Sequence, residues 1–219
     1  MNIEKLFSAI EYSNIKKIQK YITDDNMNKI IKEHSPLSFA CTIGNPKIIK
    51  FLLSYNNINI NVGYPLTHAC SHGRLYIVKL ILKCNNVDIQ YSKPLFNAIK
   101  NGHTHVVKYL LDHKKIIVST WDLYCACVNQ HISIVKLLLN IPQLNVNDSE
   151  SLVYCCQHGY EEIVKILLKH TWIDVNRGNP LIVACDNYRF DIIKLLLKHK
   201  NINEDQLKYY KLFQKKIKD

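Results

Sequence analysis

A pattern of 18 residues occurs six times along this chain, at an almost constant spacing. It is clearest as PLTHACSHGRLYIVKLIL from Pro65, and it returns as PLSFACTIGNPKIIKFLL from Pro36 and PLFNAIKNGHTHVVKYLL from Pro94. Less regular copies begin at Asp122, Ser151 and Pro180. The leucine near the start of each copy advances by 29, 29, 28, 29 and 29 residues. A fixed period of about 20 to 50 residues is typical of stacked repeats, so one continuous repeat domain over residues 1–219 is predicted.

Each copy predicts two short helices joined by a tight turn. Proline near the start suits a first helical turn, and the apolar residues of the second half share one helix face. Glycine stands at the turn in four repeats, where a left-handed backbone is favourable only for that residue. Gln130 and Tyr188 replace it in repeats four and six. Each replacement should cost about 1 kcal/mol if the left-handed backbone is retained.

The segments between and beyond these helix pairs also have recognisable patterns. After each second helix comes a short alternating piece, such as Ile58-Asn59-Ile60, which predicts an extended stub with one buried side. Residues 1–34 are predicted to form an amino-terminal capping repeat, a helix pair over 1–22, and a connector. Six repeats fill 35–203, and residues 204–219 are predicted to form a carboxyl-terminal capping helix.

Five of the eight cysteines lie four residues after the repeat leucine: Cys41, Cys70, Cys127, Cys156 and Cys185. Equivalent positions in stacked helices lie about 8–10 Å apart, whereas a disulfide needs Cα atoms within about 7 Å. These thiols are therefore predicted to pack in the core and to stay reduced, which favours the cytoplasm or nucleus. The first residues lack the apolar core of a secretion signal, and no apolar run approaches the roughly 18 residues of a membrane span.

The net charge of +11 comes from 26 lysines and 3 arginines against 18 acidic residues. One lysine recurs in each second helix, at Lys50, Lys79, Lys108, Lys136, Lys165 and Lys194. This lysine ladder could attract nucleic acid or another polyanion. Alternatively, Asn, Ile and Lys make up 77 of 219 residues, as an AT-rich genome would encode. Base recognition also depends on arginine, which is scarce here.

These residues together resemble the ankyrin-repeat family: P-L-x-x-A, a turn glycine, I-V-K-x-L-L and an Asn/Asp-rich loop. The family period is about 33, and the missing residues fall where family members have a projecting hairpin loop. The resemblance implies an all-α fold, a solenoid of stacked antiparallel helix pairs with shortened loops. Short repeats rich in Asn, Ile and Lys also resemble those of giant DNA viruses, which would place the protein in a host cytoplasm; AT-rich protists or intracellular bacteria fit as well.

The resemblance further implies a protein-protein interaction scaffold that binds its partner on the concave face. Family members hold partners with the loops before the first helices and with the last two residues of those helices. The loop positions here are Tyr64, Lys93, Trp121 and Glu150. The helix-end pairs are Thr42-Ile43, Ser71-His72, Lys100-Asn101, Val128-Asn129, Gln157-His158 and Asp186-Asn187. The residues at these positions differ between repeats. This variation indicates either recognition of a partner or sequence drift at solvent-exposed sites, and the aromatic residues Tyr64 and Trp121 favour recognition.

The sequence gives little support for catalysis or for metal binding. No nucleotide-binding glycine loop, nucleophile elbow or H-E-x-x-H motif is present. Recurrent histidines at helix turns, among them His72, His103 and His158, fit a structural role better than metal binding. A zinc site needs four converging ligands, which the Cys125/Cys127 and Cys155/Cys156 pairs do not supply. We therefore expect a monomeric protein that is not an enzyme and has no cofactor, metal or membrane contact. A ubiquitin-ligase adaptor remains a further possibility.

Overall fold

A computed structural model describes residues 2–89, 93–113 and 115–217. Its contacts group into two compact units, Met1–Ile117 and Val118–Asp219. The first unit contains the amino-terminal helix pair and repeats one to three, and the second contains repeats four to six and the carboxyl-terminal helix. The single domain expected from the sequence stays a prediction. Met1, Lys218 and Asp219, which were included in the predicted capping elements, lie outside the described residues.

The fold of the described residues is all-helical, as predicted. In the first unit the helices are α1 Asn2–Glu11, α2 Ile15–Tyr21, α3 Pro36–Ile43, α4 Pro46–Leu53, α5 Pro65–Ser71, α6 Leu75–Ile81, α7 Pro94–Lys100 and α8 Thr104–Leu111. In the second unit they are α9 Thr120–Val128, α10 Ile132–Leu139, a 3-10 turn Val146–Ser149, α11 Ser151–His158, α12 Glu161–Leu168, α13 Pro180–Asp186, α14 Phe190–Leu197 and α15 Glu204–Lys216. Each repeat therefore has a first and a second helix, in the predicted register.

Small buried side chains allow the first helices to pack closely on one another. In α5, Leu66 is 2% exposed and Ala69 and Cys70 are fully buried, facing α3 on one side and α7 on the other. All eight cysteines are free, and all except Cys84 are buried. Burial raises the pKa of the Cys70 thiol and raises that of Cys156 to about 12. The prediction that the recurrent cysteines pack in the core is confirmed.

The turn between the two helices keeps its left-handed backbone even without glycine. Gln130 has φ 56° and Tyr188 has φ 53°, close to the values at the glycine turns. In several repeats the residue after the turn reaches back to the preceding repeat: His103 Nε2 donates to the Ser71 carbonyl at 2.9 Å, and Arg189 Nε donates to the Gln157 carbonyl at 3.0 Å. These side chains lie over the preceding turn and link consecutive repeats.

Asparagine side chains join the loops of consecutive repeats. Asn61 Nδ2 donates to the Asn86 carbonyl at 2.8 Å, and Asn61 Oδ1 accepts from the Asp88 N–H at 2.8 Å. The same pair of bonds is made by Asn28, Asn147 and Asn176, each to the loop that follows it. The stub residues alternate in burial as predicted, but within the described residues they form no strand. The shortened loops are thus connected by side-chain amides.

The carboxyl-terminal helix α15 is attached to the last repeat by a buried amide. Gln206 is completely buried, and its Oε1 accepts from the Leu181 N–H at 2.9 Å. Its Nε2 donates to the Val175 carbonyl at 3.3 Å and to Asn176 Oδ1 at 2.9 Å. Because every polar atom of this side chain has a partner, its burial is favourable. The predicted capping helix therefore packs against α13 through a polar contact.

Candidate binding surface

The positions predicted as loop contacts lie where the first helices begin. Tyr64, Lys93 and Glu150 are exposed and precede their helices with φ of 54°, 46° and 51°. Their backbones are left-handed, and their side chains make no capping hydrogen bond to the helix that follows. None of the three side chains caps its helix. That these positions contact a partner stays a prediction.

Trp121 was predicted to be a loop residue, and this placement is wrong. The residue lies in the first turn of α9, because a capping box formed by Ser119 and Asp122 starts that helix at Thr120. Asp122 accepts from the backbone and side chain of Ser119 at 2.8 and 2.9 Å. Burial raises the pKa of Asp122, while these hydrogen bonds oppose the change. The indole of Trp121 is nevertheless 61% exposed.

The last residues of the first helices have a structural role that the sequence reading did not include. Asn101, Asn129 and Asn187 each donate Nδ2 to the carbonyl four residues earlier, at 2.9, 2.8 and 2.8 Å. His72 and His158 do the same with Nδ1, at 2.9 and 3.0 Å. These side chains satisfy carbonyl groups that a helix end leaves without partners. The residue type at the helix end differs between repeats, but each of these side chains makes the same hydrogen bond to the carbonyl four residues earlier.

The residues just before these helix ends are more available for contact. Lys100 and Gln157 are exposed, and Ser71 is half-buried, with its Oγ donating to the His68 carbonyl at 3.1 Å. In the last repeat the equivalent Asp186 accepts a hydrogen bond from Tyr209 of α15. This hydrogen bond raises the pKa of the Tyr209 phenol. Helix α15 thus supplies Asp186 with a contact within the chain, and a partner contact at this residue stays a prediction.

Five aromatic rings form a continuous exposed strip in the second unit. We call Trp121, Tyr124, Tyr154, His158 and Tyr160 the aromatic strip. Trp121 stacks on Tyr124 at 4.8 Å between ring centroids, and Tyr124 meets Tyr154 edge-on at 5.3 Å. Tyr154 stacks on His158 at 3.9 Å and lies 6.1 Å from Tyr160. The strip crosses from α9 to α11, and all its rings are exposed or half-buried.

The first unit has a row of three histidines, His68 and His72 at helix α5 and His34 in the connector before α3. The rings of His34 and His68 lie 4.5 Å apart, and those of His68 and His72 lie 6.5 Å apart. Burial, followed by the charges of His34 and His72, lowers the pKa of His68 to about 4. The ring of His68 is therefore neutral at physiological pH. His34 Nδ1 is buried without a hydrogen-bond partner.

The lysine ladder differs between the two units in what its side chains contact. Lys50 Nζ lies 5.6 Å from the ring centroid of Tyr76, and Lys79 Nζ lies 5.1 Å from that of Tyr109. In the second unit, Lys165 pairs with Glu161 and Lys194 with Asp191. Residues 1–117 carry 16 Lys/Arg against 7 Asp/Glu, a net +9, whereas residues 118–219 carry 13 against 11, a net +2. Positive charge is therefore concentrated in the first unit.

Neither a metal cluster nor a membrane span is found in the described part of the chain. Among residues 2–89, 93–113 and 115–217, no three His, Cys, Asp or Glu are placed to hold a metal ion together. Over the same residues, every helix is too short or too polar to cross a bilayer.

Stacked helix pairs, left-handed turns and loops joined between repeats define a helical repeat protein. A family model described as ankyrin repeats (3 copies) matches residues 6–93, 84–149 and 123–206. The match covers most of the sequence, and the chain belongs to the ankyrin-repeat family. Proteins of this family are generally protein-protein interaction modules and typically non-catalytic scaffolds. The comparison with curated proteins produced no match.

Two features of the surface were not predicted from the sequence. The loop-joining asparagines do have a signal, because Asn61, Asn147 and Asn176 each directly follow the last apolar residue of a stub. The aromatic strip has a weaker sequence signal. Tyr124 lies one residue after the leucine of its repeat, whereas Tyr154 lies two residues after the leucine of its own. Comparing equivalent repeat positions does not align these two rings. Their contact depends on how α9 packs on α11.

Proposed function

We propose that this chain is a non-catalytic scaffold that binds a protein partner on the concave face expected for its family. The observation that carries the proposal is the contrast within each repeat. The residues that pack the helices recur from copy to copy, while exposed neighbours such as Lys93, Lys100 and Gln157 change in charge and size. A recognition surface on a fixed framework has this distribution. The eight free cysteines support action in the cytoplasm or nucleus, and we expect the chain to act as a monomer.

The helix-capping residues refine the set of proposed contacts. His72, Asn101, Asn129 and His158 hold their own helix ends, so replacing them would weaken the fold together with any contact. Tyr64, Lys93, Trp121, Lys100 and Gln157 are the better test positions, because their side chains are exposed. Ser71 is a secondary position.

The experiment exchanges exposed residues for those found at the same position in other repeats. One variant combines Tyr64→Asn, Lys93→Glu, Lys100→Asp and Gln157→Ser, since Asn179, Glu150, Asp186 and Ser71 already occupy these positions. Purified wild type and variant are used to capture proteins from a lysate at low and high salt. A protein that wild type retains at high salt and the variant does not is the expected result.

The matched control exchanges two exposed residues on the second helices, Lys47→Glu with Lys136→Glu, which lowers the net charge by 4, as the test variant does. This control should retain the captured protein. Equal capture by all three proteins would contradict a recognition surface on the first helices. Unfolding curves of both variants show whether the fold is preserved.

A second candidate function is binding of a polyanion. It is favoured by the net charge of +9 in residues 1–117, which contain half of the lysine ladder. Binding of this kind weakens steeply with salt because bound counterions are released. A nucleic acid captured at low salt and lost at high salt, with equal affinity for unrelated sequences, would support this alternative. Protein capture that is stable to salt would favour the scaffold.

A further inference from the structure

The positive net charge of the second unit comes from one short stretch of its last helix. Residues 206–217, which include most of α15, contain four lysines and no acidic residue, a net charge of +4. Residues 118–205 carry 8 Lys/Arg against 10 Asp/Glu, a net charge of −2, and Lys218 and Asp219 cancel in charge. A general excess of lysine in the composition does not explain this concentration on a unit that is otherwise acidic.

An exposed leucine lies among these lysines. Leu212 is 64% exposed, and Lys208 and Lys216 lie one helical turn before and after it on the same face. Lys215 lies three residues after Leu212, Lys211 lies three residues after Lys208, and all four lysines are exposed. We call Leu212 and these four lysines the α15 face. Its centre is apolar and its rim is positive.

The acidic groups that contact α15 leave most of this positive charge unpaired. Glu204 and Asp205, in the first turn, both lie 3.6 Å from Lys208. Asp186, on the helix α13 that packs against α15, accepts a hydrogen bond from Tyr209. Over the described residues 115–217, three lysines of the face form no ion pair: Lys211, Lys215 and Lys216.

Helix stability explains part of the α15 face. Lysines in the last turn of a helix interact favourably with the helix dipole, and Lys215 and Lys216 fit that role. The dipole does not explain Leu212, because an exposed leucine contributes little to packing within the chain. The neighbouring Phe213 is the packing residue, since it is 8% exposed and lies 5.7 Å from Tyr188 between ring centroids. An apolar centre within a polar rim is the usual arrangement of a protein interface.

We infer that the α15 face binds an acidic segment of a partner protein, with an apolar side chain packed on Leu212 and carboxylates beside the lysines. A membrane is less suited, because one leucine is little apolar surface to insert. The nearby exposed Ile217 lies about 140° further round the helix. A nucleic acid is also less suited, because the face has no aromatic ring or arginine. This inference rests on the proposed scaffold function and names the chemistry of one partner segment.

The test uses the whole chain and a capped, fluorescein-labelled peptide in which glutamates surround one central leucine. One twin peptide has glutamine in place of every glutamate, and a second has serine in place of the leucine. Binding is followed by fluorescence anisotropy at low salt, where exposed charges are least screened. The lysine variant of α15 combines Lys211→Gln, Lys215→Gln and Lys216→Gln. The matched control removes the same charge from exposed positions of α2 in the first unit, with Lys16→Gln, Lys17→Gln and Lys20→Gln.

The lysine variant should bind the glutamate peptide about 10-fold more weakly than wild type, the combined effect of three exposed charge contacts. The α2 control should change binding by less than about 2-fold, because distant charges are screened. The glutamine peptide should bind wild type about 10-fold more weakly than the glutamate peptide. Leu212→Gln should weaken binding of the glutamate peptide by about 5-fold. The serine peptide should lose as much on wild type but nothing further on Leu212→Gln, because the two leucines then form one contact.

Several results would overturn the inference: equal weakening by the lysine variant and the α2 control, equal binding of the glutamate and glutamine peptides, or independent losses from Leu212→Gln and the serine peptide. No binding at about 1 mM peptide, the weak end of measurable affinities, would also overturn it. Phosphatidylserine vesicles or duplex DNA bound more tightly than the glutamate peptide would overturn it in favour of a membrane or a nucleic acid. Urea unfolding curves show whether each variant keeps its fold.

The scaffold function fails separately from the α15 face. A partner lost from the four-residue variant of the first helices but retained by the lysine variant of α15 would keep the scaffold and reject the α15 site. A chain that binds the glutamate peptide through α15 but captures no protein at high salt would keep the site and count against the scaffold.

Discussion

Replacing Gly73 by alanine tests how one repeat is held against the next. Gly73 has φ +66°, and a Cβ placed there would lie 2.6 Å from Nδ1 of His103. The same histidine donates Nε2 to the Ser71 carbonyl at 2.9 Å. The left-handed backbone should cost alanine about 1 kcal/mol, and displacement of the ring should lose a hydrogen bond that contributes about 1 kcal/mol. Gly73→Ala is therefore expected to destabilise the protein by about 2 kcal/mol.

Gly44→Ala is the matched control. A Cβ at Gly44 would lie 2.6 Å from Nε of Arg74, but that flexible side chain makes only a 3.5 Å contact to the Ile43 carbonyl. The arginine can move at little cost, so this variant should lose only the backbone contribution of about 1 kcal/mol. The difference between the two alanine variants isolates the histidine contact.

The assay is urea unfolding of the full chain followed by circular dichroism, with thermal melting alongside. A loss of 2 kcal/mol corresponds to a melting temperature lower by about 4–8 °C for a protein of this size. In a His103→Ala background, the cost of Gly73→Ala should fall to about 1 kcal/mol, because the ring is no longer there to be displaced. Equal costs in both backgrounds, or equal costs for Gly73→Ala and Gly44→Ala, would refute the reasoning.

Three further outcomes are expected. Gln130→Gly should raise the melting temperature by about 2–4 °C, since it removes about 1 kcal/mol of left-handed strain; a calorimetric scan showing no rise would contradict it. Gln206→Ala should lower the free energy of unfolding in urea by about 2–3 kcal/mol, because it leaves the buried Leu181 N–H without a partner; a wild-type midpoint would contradict it. His68 has a folded pKa of about 4, below the unfolded value of about 6.5. The free energy of unfolding is therefore highest, as far as His68 is concerned, above pH 6.5. It decreases as the pH falls towards 4, by about 1–2 kcal/mol after allowance for partial exposure. His68→Asn should flatten this part of the pH profile in urea titrations, and parallel profiles would contradict it.

The sequence predicted the helix register well because the strongest signals are local. Leu66, Ala69 and Cys70 repeat every 29 residues with one step of 28, and proline and glycine mark the helix ends through their own backbone preferences. Position alone also identified Gln130 as a turn residue but left open whether its backbone stays left-handed, which the structure shows with φ 56°. These features depend on residues within a few positions of one another.

The sequence-based prediction failed where different residue types make the same hydrogen bond or where a contact joins separate helices. Asn101 and His72 look like variable surface residues, yet both donate to the carbonyl four residues earlier. Trp121 was placed in a loop because it occupies the repeat position of Tyr64 and Lys93, and the capping box that starts its helix was not recognised. Long-range contacts, such as Tyr209 on Asp186, need the packing of separate helices and cannot be read from one repeat.

The loop-joining asparagines have a consequence for how such a chain can change its length. Asn61 contacts the carbonyl of Asn86 and the N–H of Asp88, which are backbone atoms that almost any sequence would supply. Asn147 and Asn176 likewise contact backbone atoms of the loops that follow them. A duplicated or recombined repeat that kept this asparagine would meet the same backbone groups in any neighbour. Gene duplication could therefore add copies without matched changes on both sides of this junction, leaving the exposed positions free to diverge.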